Sequence, residues 1–239
     1  MKGIVIKQAD TAEGNRIIWI FTSDYGILKA VGRGAAKTRS QTAAGSQFLT
    51  YGDFELYPGR DMHTLTGASP EENFSSINGS ITKLSLVSYF CDIVYKHLGL
   101  NNPDNDMFRL LLNCIYALAN MNISEQCVKA VFEARAACDI GYMPVLDCCI
   151  LCGEVKGCYN FDLKNGGVVC DECGNGIKIT SAAAAAWKYI SACPPERIFS
   201  FEADEECIEN LGSVTEAYIE HHTSQRLGSL KYYKEISHK

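Results

Sequence analysis

Two cysteine pairs constrain this chain more than anything else in it: Cys149-x2-Cys152 and, seventeen residues on, Cys170-x2-Cys173. The spacing fits the C-x2-C-x15–20-C-x2-C zinc template. Each pair turns tightly enough to aim both thiolates at one point, and four such sulfurs hold zinc in a tetrahedron at about 2.3 Å. Gly153 and Gly174 directly follow the second cysteine of each pair, so both turns are expected to use the left-handed φ that glycine tolerates. Between the pairs, Tyr159-Asn160-Phe161 and Gly166-Gly167-Val168-Val169 read as a hairpin. The layout is that of a zinc ribbon. A cysteine-only, four-coordinate site is closed, so one structural zinc is expected rather than a catalytic one. A redox CxxC and two unrelated thiol pairs are the competing readings; the first needs a thioredoxin-like βαβ pattern, and none is visible. Cys148 and Cys158 complicate the ligand set, because a Cys148-x3-Cys152 pairing is also conceivable, though less regular. No role is assigned to either extra thiol.

The chain holds twelve cysteines in 239 residues. The N-terminus, MKGIVIKQADTAEGN, has a short apolar run followed at once by acids, which does not read as a signal peptide. No run of about 18 uncharged apolar residues exists to span a membrane. The expected location is therefore the cytoplasm, where thiols stay reduced. Cys91, Cys114, Cys127 and Cys138 fall on apolar helical patterns and read as core, as do Cys193 and Cys207.

The fold expected is α+β and multidomain. Short strands at Gly3–Lys7, Arg16–Thr22, Ile27–Val31, Phe48–Tyr57 and Met62–Thr66, divided by turn residues such as Pro58-Gly59-Arg60-Asp61, predict a small five-stranded barrel or sandwich. From about Pro70 the period becomes helical. Helices are expected over 81–100, 106–121 and 124–140. After the ribbon, another starts at Thr180 or Ser181 and stops at Cys193-Pro194-Pro195. A last long one runs from Asp204 to about Arg226, with a short helix after it. The domains are accordingly 1–78, an OB-fold barrel; 79–147 with 179–239, a helical domain; and 148–178, the inserted ribbon.

Net charge is −6, which taken globally argues against nucleic acid, but its distribution is uneven. Residues 1–60 hold eight Lys/Arg against five Asp/Glu, and no acid lies between Asp24 and Asp53. That window contains Lys29, Arg33, Lys37 and Arg39, with Gly32 and Gly34 flanking Arg33. Trp19, Phe21, Tyr25, Phe48 and Tyr51 surround it in sequence. An OB-type barrel binds single strands by stacking bases on aromatics over a cationic groove. An ordinary solvated loop is the plain alternative, since charge runs are common on surfaces. His221 and His222 read as exposed helix residues. The chain carries no Walker A run, no HExxH and no GxSxG, so no enzymatic activity is expected.

The parts in this order resemble the RecO family of bacterial DNA repair and recombination mediators. The opening GIVIKQADTAEGNRIIWIFTSDYGILKAVGRGA is similar to the family's strand, turn, strand and "Gly … Lys … Arg-Gly-Ala" pattern. KTRSQTAAGSQFLTYGDFELY is similar to its basic loop and next strand, PVLDCCILCGEV…GGVVCDEC to its zinc insertion, and YIEHHTSQRLGSLKYY to its closing helix and "Ser-Leu" tail. The resemblance implies a protein that binds single- and double-stranded DNA through the barrel, anneals complementary strands and consumes no nucleotide. It implies RecR as partner, the acidic, hydrophobic C-terminal tail of single-strand binding protein as a second, and RecA indirectly, loaded onto coated gaps; no membrane partner is implied. On the matching loop, Arg33, Lys37 and Arg39 are the expected DNA contacts, followed by Lys29 and Arg16. Arg109 and Arg135 are the nearest cations for a tail-binding groove. With a net charge of −6, DNA binding is expected to be salt-sensitive, with few phosphate contacts. The competing function is a zinc-ribbon scaffold that binds protein partners and no DNA.

Overall fold

The computed structural model describes residues 1–37, 42–157, 159–223 and 227–237. It divides into two compact units, Met1–Phe108 and Arg109–Lys239.

The first unit opens with β1 (Lys2–Asp10), β2 (Arg16–Thr22), β3 (Gly26–Gly32), β4 (Tyr51–Tyr57) and β5 (His63–Glu72), closed into a barrel in the order β1-β2-β3-β5-β4. All neighbouring pairs are antiparallel except β3 and β5. This is the OB-fold expected. Period-two alternation explains the closure, because Val5, Ile18, Ile20, Ala30, Phe54 and Leu65 all turn to one interior cluster. Two boundaries differ from those read in the sequence. β4 begins at Tyr51 rather than Phe48, since the preceding Leu49 is buried with φ +66°, which no strand residue adopts. β5 runs on through Pro70 to Glu72; Pro70 sits opposite Gly52 at a register shift, where a missing ladder donor is tolerated.

After α1 (Ser75–Asn78) comes α2 (Ile81–Leu98). Ser80 caps α2 by accepting from the Lys83 N–H. The helix carries Lys96 and His97 in its last turn, where cations suit the helix dipole. Tyr95 of α2 meets Trp19 of β2 edge-on, with ring centroids 6.4 Å apart. The β2–β3 turn is built tightly at Gly26, which has φ +69° and whose added Cβ would lie 2.3 Å from the Asn102 backbone. Gly26→Ala is therefore expected to destabilise by at least the ~1–2 kcal/mol of a left-handed residue, with the steric clash in addition. Chemical denaturation of the variant measures this; an unchanged midpoint would refute it.

The second unit contains α4 (Glu125–Asp139), α5 (Ser181–Ala192), α6 (Glu205–Thr223) and α7 (Gly228–Ser237), and α3 (Asn105–Asn120) carries the division between the units in its first turn. The ribbon lies between α4 and α5 in sequence as β6 (Asn160–Asp162), β7 (Gly167–Val169) and β8 (Ile177–Lys178), in the sheet order β7-β6-β8. Asp162 makes the hairpin turn by accepting from the Lys164 and Asn165 N–H groups at 2.9 and 3.1 Å. Phe161 of β6 is fully buried. It stacks on Trp187 at 5.1 Å, and Tyr218 packs edge-on against both rings. The Trp187 indole N–H donates to the Ala134 carbonyl at 3.0 Å. Phe161 thus fastens the ribbon to the helices, together with Asn210 of α6, whose amide donates to Lys178 O at 2.9 Å. His222 stacks on Tyr142 at 3.8 Å instead of standing free on an exposed helix face, because its turn of α6 is covered by aromatic rings.

Candidate nucleic-acid interface and metal centre

In the first unit, the segment after β3 folds as a compact turn. The Ala35 N–H donates to Gly32 O, and the Lys37 N–H donates to Gly34 O at 2.9 Å. It is stitched to the β1–β2 turn twice: the Gly34 N–H donates to Asn15 Oδ1 at 2.9 Å and the Ala36 N–H to Gly14 O at 3.2 Å. Gly34 has φ +65° with open space where a Cβ would stand. Gly14 has φ +79°, and the methylene stem of Lys37 lies against it. The backbone is thus fixed while the charged ends remain outside. Arg33 and Lys37 are both exposed and make no ion pair among the described residues. Arg39 lies outside the described residues.

The other two sequence-predicted contacts sit differently. Arg16 pairs with Gly32 across the ladder, at the base of the turn. Its guanidinium is committed to Asp10, with Nε 2.6 Å from Oδ1 and Nη2 3.1 Å from Oδ2, and its side chain is only 12% exposed. That hydrogen-bonded pairing holds the Asp10 carboxyl below its ordinary value. Arg16 is a strut for the loop in this structure. Lys29 lies on β3 opposite Trp19, with Nζ 5.5 Å from the indole centroid. Sequence reading missed Gly14 and Asn15, which position the loop. The Thr-x-x-Gly-Asn run over 11–15 was the available signal, since Asn and Gly are turn formers.

In the second unit the four sulfurs of Cys149, Cys152, Cys170 and Cys173 lie within 4.8 Å of one another. Cys152 Sγ and Cys170 Sγ are 3.7 Å apart. Four sulfurs around zinc at about 2.3 Å would be separated by about 3.8 Å, so the donors fit that ion in number, kind and spacing. Each knuckle is closed by the backbone: the Gly153 N–H donates to Cys149 O at 2.8 Å, and the Cys173 N–H to Cys170 O at 3.1 Å. Gly153 has φ +78° as expected, but Gly174 is not in the left-handed region, although its N–H also donates to Cys170 O, at 3.3 Å. The Cys170 N–H, ahead of those of Cys152 and Leu151, aims at the Cys149 sulfur and brings its thiol down to about 6 against the opposing effect of burial. Backbone donors aimed at a sulfur are what a thiolate ligand requires. Cys148 is half-buried and stands outside this cluster, and Cys158 lies outside the described residues.

Of the two cations considered for a groove on the helices, Arg135 is spent. Its Nε donates to Asp139 at 3.1 Å, and its Nη1 caps the end of α5 by donating to Ile190 O and Cys193 O at 3.0 and 2.9 Å. Arg109 pairs with Glu196 and remains 43% exposed. No helix of the described residues is long and apolar enough to cross a membrane.

Comparison with known proteins covers nearly the whole chain. Residues 1–74 match the family model described as "Recombination protein O N terminal", and residues 78–231 match "Recombination protein O C terminal". The chain is 32% identical to a protein named DNA repair protein RecO from Acetivibrio thermocellus, over 98% of this chain and 95% of that one. It is 27% identical to the protein of the same name from Alkaliphilus metalliredigens, over 98% of each. It is 25% identical to that from Listeria innocua, over 98% of this chain and 93% of the other.

Proposed function

The chain belongs to the RecO family, and from that premise we propose that it is a DNA repair and homologous recombination mediator. It binds single- and double-stranded DNA, anneals complementary strands and, with RecR, helps load RecA onto DNA coated by single-strand binding protein. The observation that carries this reading is the turn over 32–37, which is pinned by its backbone to a closed OB barrel while Arg33 and Lys37 stand exposed, with no ion pair among the described residues. Phosphates are positioned by such cations on a fixed backbone. Arg33 and Lys37 carry most of the contact, with Lys29 and Arg39 as further contacts and Arg16 setting the base. We assign DNA binding to residues 1–78 and partner binding to 79–147 with 179–239. Of the two cations considered on those helices, Arg109 is the more exposed, and we assign it to the acidic tail of single-strand binding protein.

The ribbon, 148–178, is a folding support that holds one zinc ion through Cys149, Cys152, Cys170 and Cys173. Zinc there supplies cross-linking and no chemistry, since a closed four-sulfur site leaves no open position. The protein works in the cytoplasm at the nucleoid, without catalysis. A zinc-ribbon scaffold without DNA binding is the second reading, favoured by the net charge of −6.

The two are separated by annealing of labelled complementary strands. The mediator anneals them, and Arg33→Glu with Lys37→Glu lowers the rate at least tenfold while thermal unfolding stays unchanged. Full binding of RecR with no annealing by the unaltered protein would support the scaffold instead.

A further inference from the structure

The connector between α5 and α6, residues 193–204, holds two phenylalanines partly open to solvent. It is fixed at three points. Arg135 Nη1 donates to Cys193 O, the Asn113 amide to Pro195 O and the Tyr189 hydroxyl to Arg197 O, each at 2.9 Å. Ile198 is buried and anchors the segment, while Phe199 and Phe201 are only half-buried. Phe201 stands 5.9 Å from the Tyr189 ring and lines both of two clefts, of about 380 and 410 Å³. Phe199, Ile208 of α6 and Ile123, just ahead of α4, line the first cleft with it. Ala182, Ala185 and Tyr189 of α5 line the second.

Every charge on that lining has one sign. Asp204 and Glu205 line the first cleft and Glu202 and Asp204 the second, and among the described residues no Lys, Arg or His lines either. Residues 202–209 hold five acids and no Lys or Arg; all five acids are exposed and make no ion pair among the described residues. Helix chemistry explains part of this. Asp204 caps α6 by accepting from the Cys207 N–H at 2.8 Å, and Glu205 and Glu206 suit its first turn. It explains neither Glu202 nor the two rings. The cleft beside α7 differs, since Lys129 and Lys234 line it together with Glu209 and Glu216. An apolar floor on a fixed backbone, with a rim of charge around it, is the anatomy of a docking surface.

We propose that these two adjoining clefts dock a cationic amphipathic helix of a partner protein. Its apolar stripe lies on Phe199 and Phe201, and its Lys or Arg side chains meet Glu202 and Glu205. The small side chains of Ala182 and Ala185 let a helix backbone come close to α5. Charge complementarity selects this occupant, because the acid rim repels both nucleic acid and an acidic peptide.

The test is fluorescence anisotropy of a labelled peptide of about 18 residues with the full chain, Leu placed at helical spacing and Lys elsewhere. Two counterparts accompany it: one with Glu in place of Lys, and one of the same composition with the Leu spacing scrambled. The cationic amphipathic peptide should bind about tenfold or more tightly than either. Phe201→Ser should weaken it by about tenfold. Glu202→Gln with Glu205→Gln should weaken it and reduce its salt dependence. Glu55→Gln with Asp61→Asn, which removes two exposed acids of the first unit, should leave it unchanged. Hydrogen exchange over 198–208 should slow in the complex. Equal binding of the scrambled peptide, or equal weakening by the two acid-removing pairs, would reduce the effect to net charge and overturn the proposal. Tighter binding of the Glu peptide would also overturn it. Self-association of the full chain that Phe201→Ser abolishes would give the clefts to a second copy instead. Unaltered affinity in both Phe201→Ser and Glu202→Gln with Glu205→Gln, at an unchanged unfolding midpoint, places the peptide elsewhere and rejects this surface.

Discussion

Cys170→Ser is expected to empty the metal site and cost several kcal/mol of stability in the second unit, because coordination is most of what folds the ribbon. Its strands are three, three and two residues long. Its own buried cluster is Cys149, Val169 and Cys170 with Ile150 and Cys173 against it, so most of its core is the ligand set itself. The only large apolar side chain it contributes to the helices by ring stacking, among the described residues, is Phe161, under Trp187 and Tyr218. Loss of metal should therefore loosen that aromatic cluster as well as the knuckles. Elemental analysis should find one zinc per wild-type chain and none in the variant. Hydrogen exchange should rise sharply over residues 145–178 and detectably around Trp187. A variant with full metal content and an unchanged unfolding midpoint would contradict the assignment and turn attention to Cys148 or Cys158 as the ligand.

Lys129→Met should cost about 3–5 kcal/mol, the range for removing one partner of a buried ion pair. Lys129 Nζ bridges Glu133 Oε1 and Glu216 Oε2, both at 2.8 Å, and Glu133 is 0% exposed. The Thr215 hydroxyl also donates to Glu133 at 3.0 Å, and Lys234 of α7 reaches Glu216 at 2.6 Å. Removing Lys129 leaves the Glu133 carboxyl in the interior without that cation. Replacing Lys129 and Glu133 together by Met and Leu should recover much of the loss, since an apolar pair carries no desolvation penalty.

The same network sets a pH window. Burial alone would raise the Glu216 carboxyl, but Lys129 and Lys234 outweigh it and hold it below its ordinary 4.5. A depressed carboxyl gives stability that is present above its unfolded value and is lost as pH falls through the folded one. Burial pushes the Lys129 ammonium down, yet Glu133 and Glu216 raise it above 10.5. That contribution is complete below the ordinary lysine value and is lost as pH rises through the raised one. The contribution of this network to stability measured by denaturant should stay level between these limits in wild type. In Lys129→Met the loss on the acid side should shrink, and an acid limb identical to wild type would show that Glu216 is not held by Lys129.

The barrel was legible because its interior residues alternate with period two and its turns carry Gly, Pro and Asp. The helices were legible from their apolar spacing and their caps, Ser80, Ser124 and Thr180. The ribbon was legible because a metal template fixes spacing more rigidly than propensity fixes a strand. What was not legible depends on register. The pairing of Trp19 with Lys29 follows from counting outward from the β2–β3 turn, but the pairing of Lys7 with Trp19 is offset by a register shift between Val5 and Lys7. No local pattern announces such a shift, so the alignment of Lys7, Trp19 and Lys29 across three strands appears only when the strands are paired. Arg16 and Arg135 illustrate the other limit: sequence shows a cation, while only packing shows that Asp10 or the end of α5 has already taken it.

The most direct test of DNA binding through the barrel loop is the affinity of the full chain for a labelled single-stranded oligonucleotide, measured by anisotropy across a salt series. The expected result is binding that weakens steeply with salt and is lost in Arg33→Glu with Lys37→Glu, while the variant's unfolding midpoint stays unchanged. Equal affinity of wild type and variant at low salt would contradict the loop assignment, and the absence of binding by wild type would contradict the function proposed.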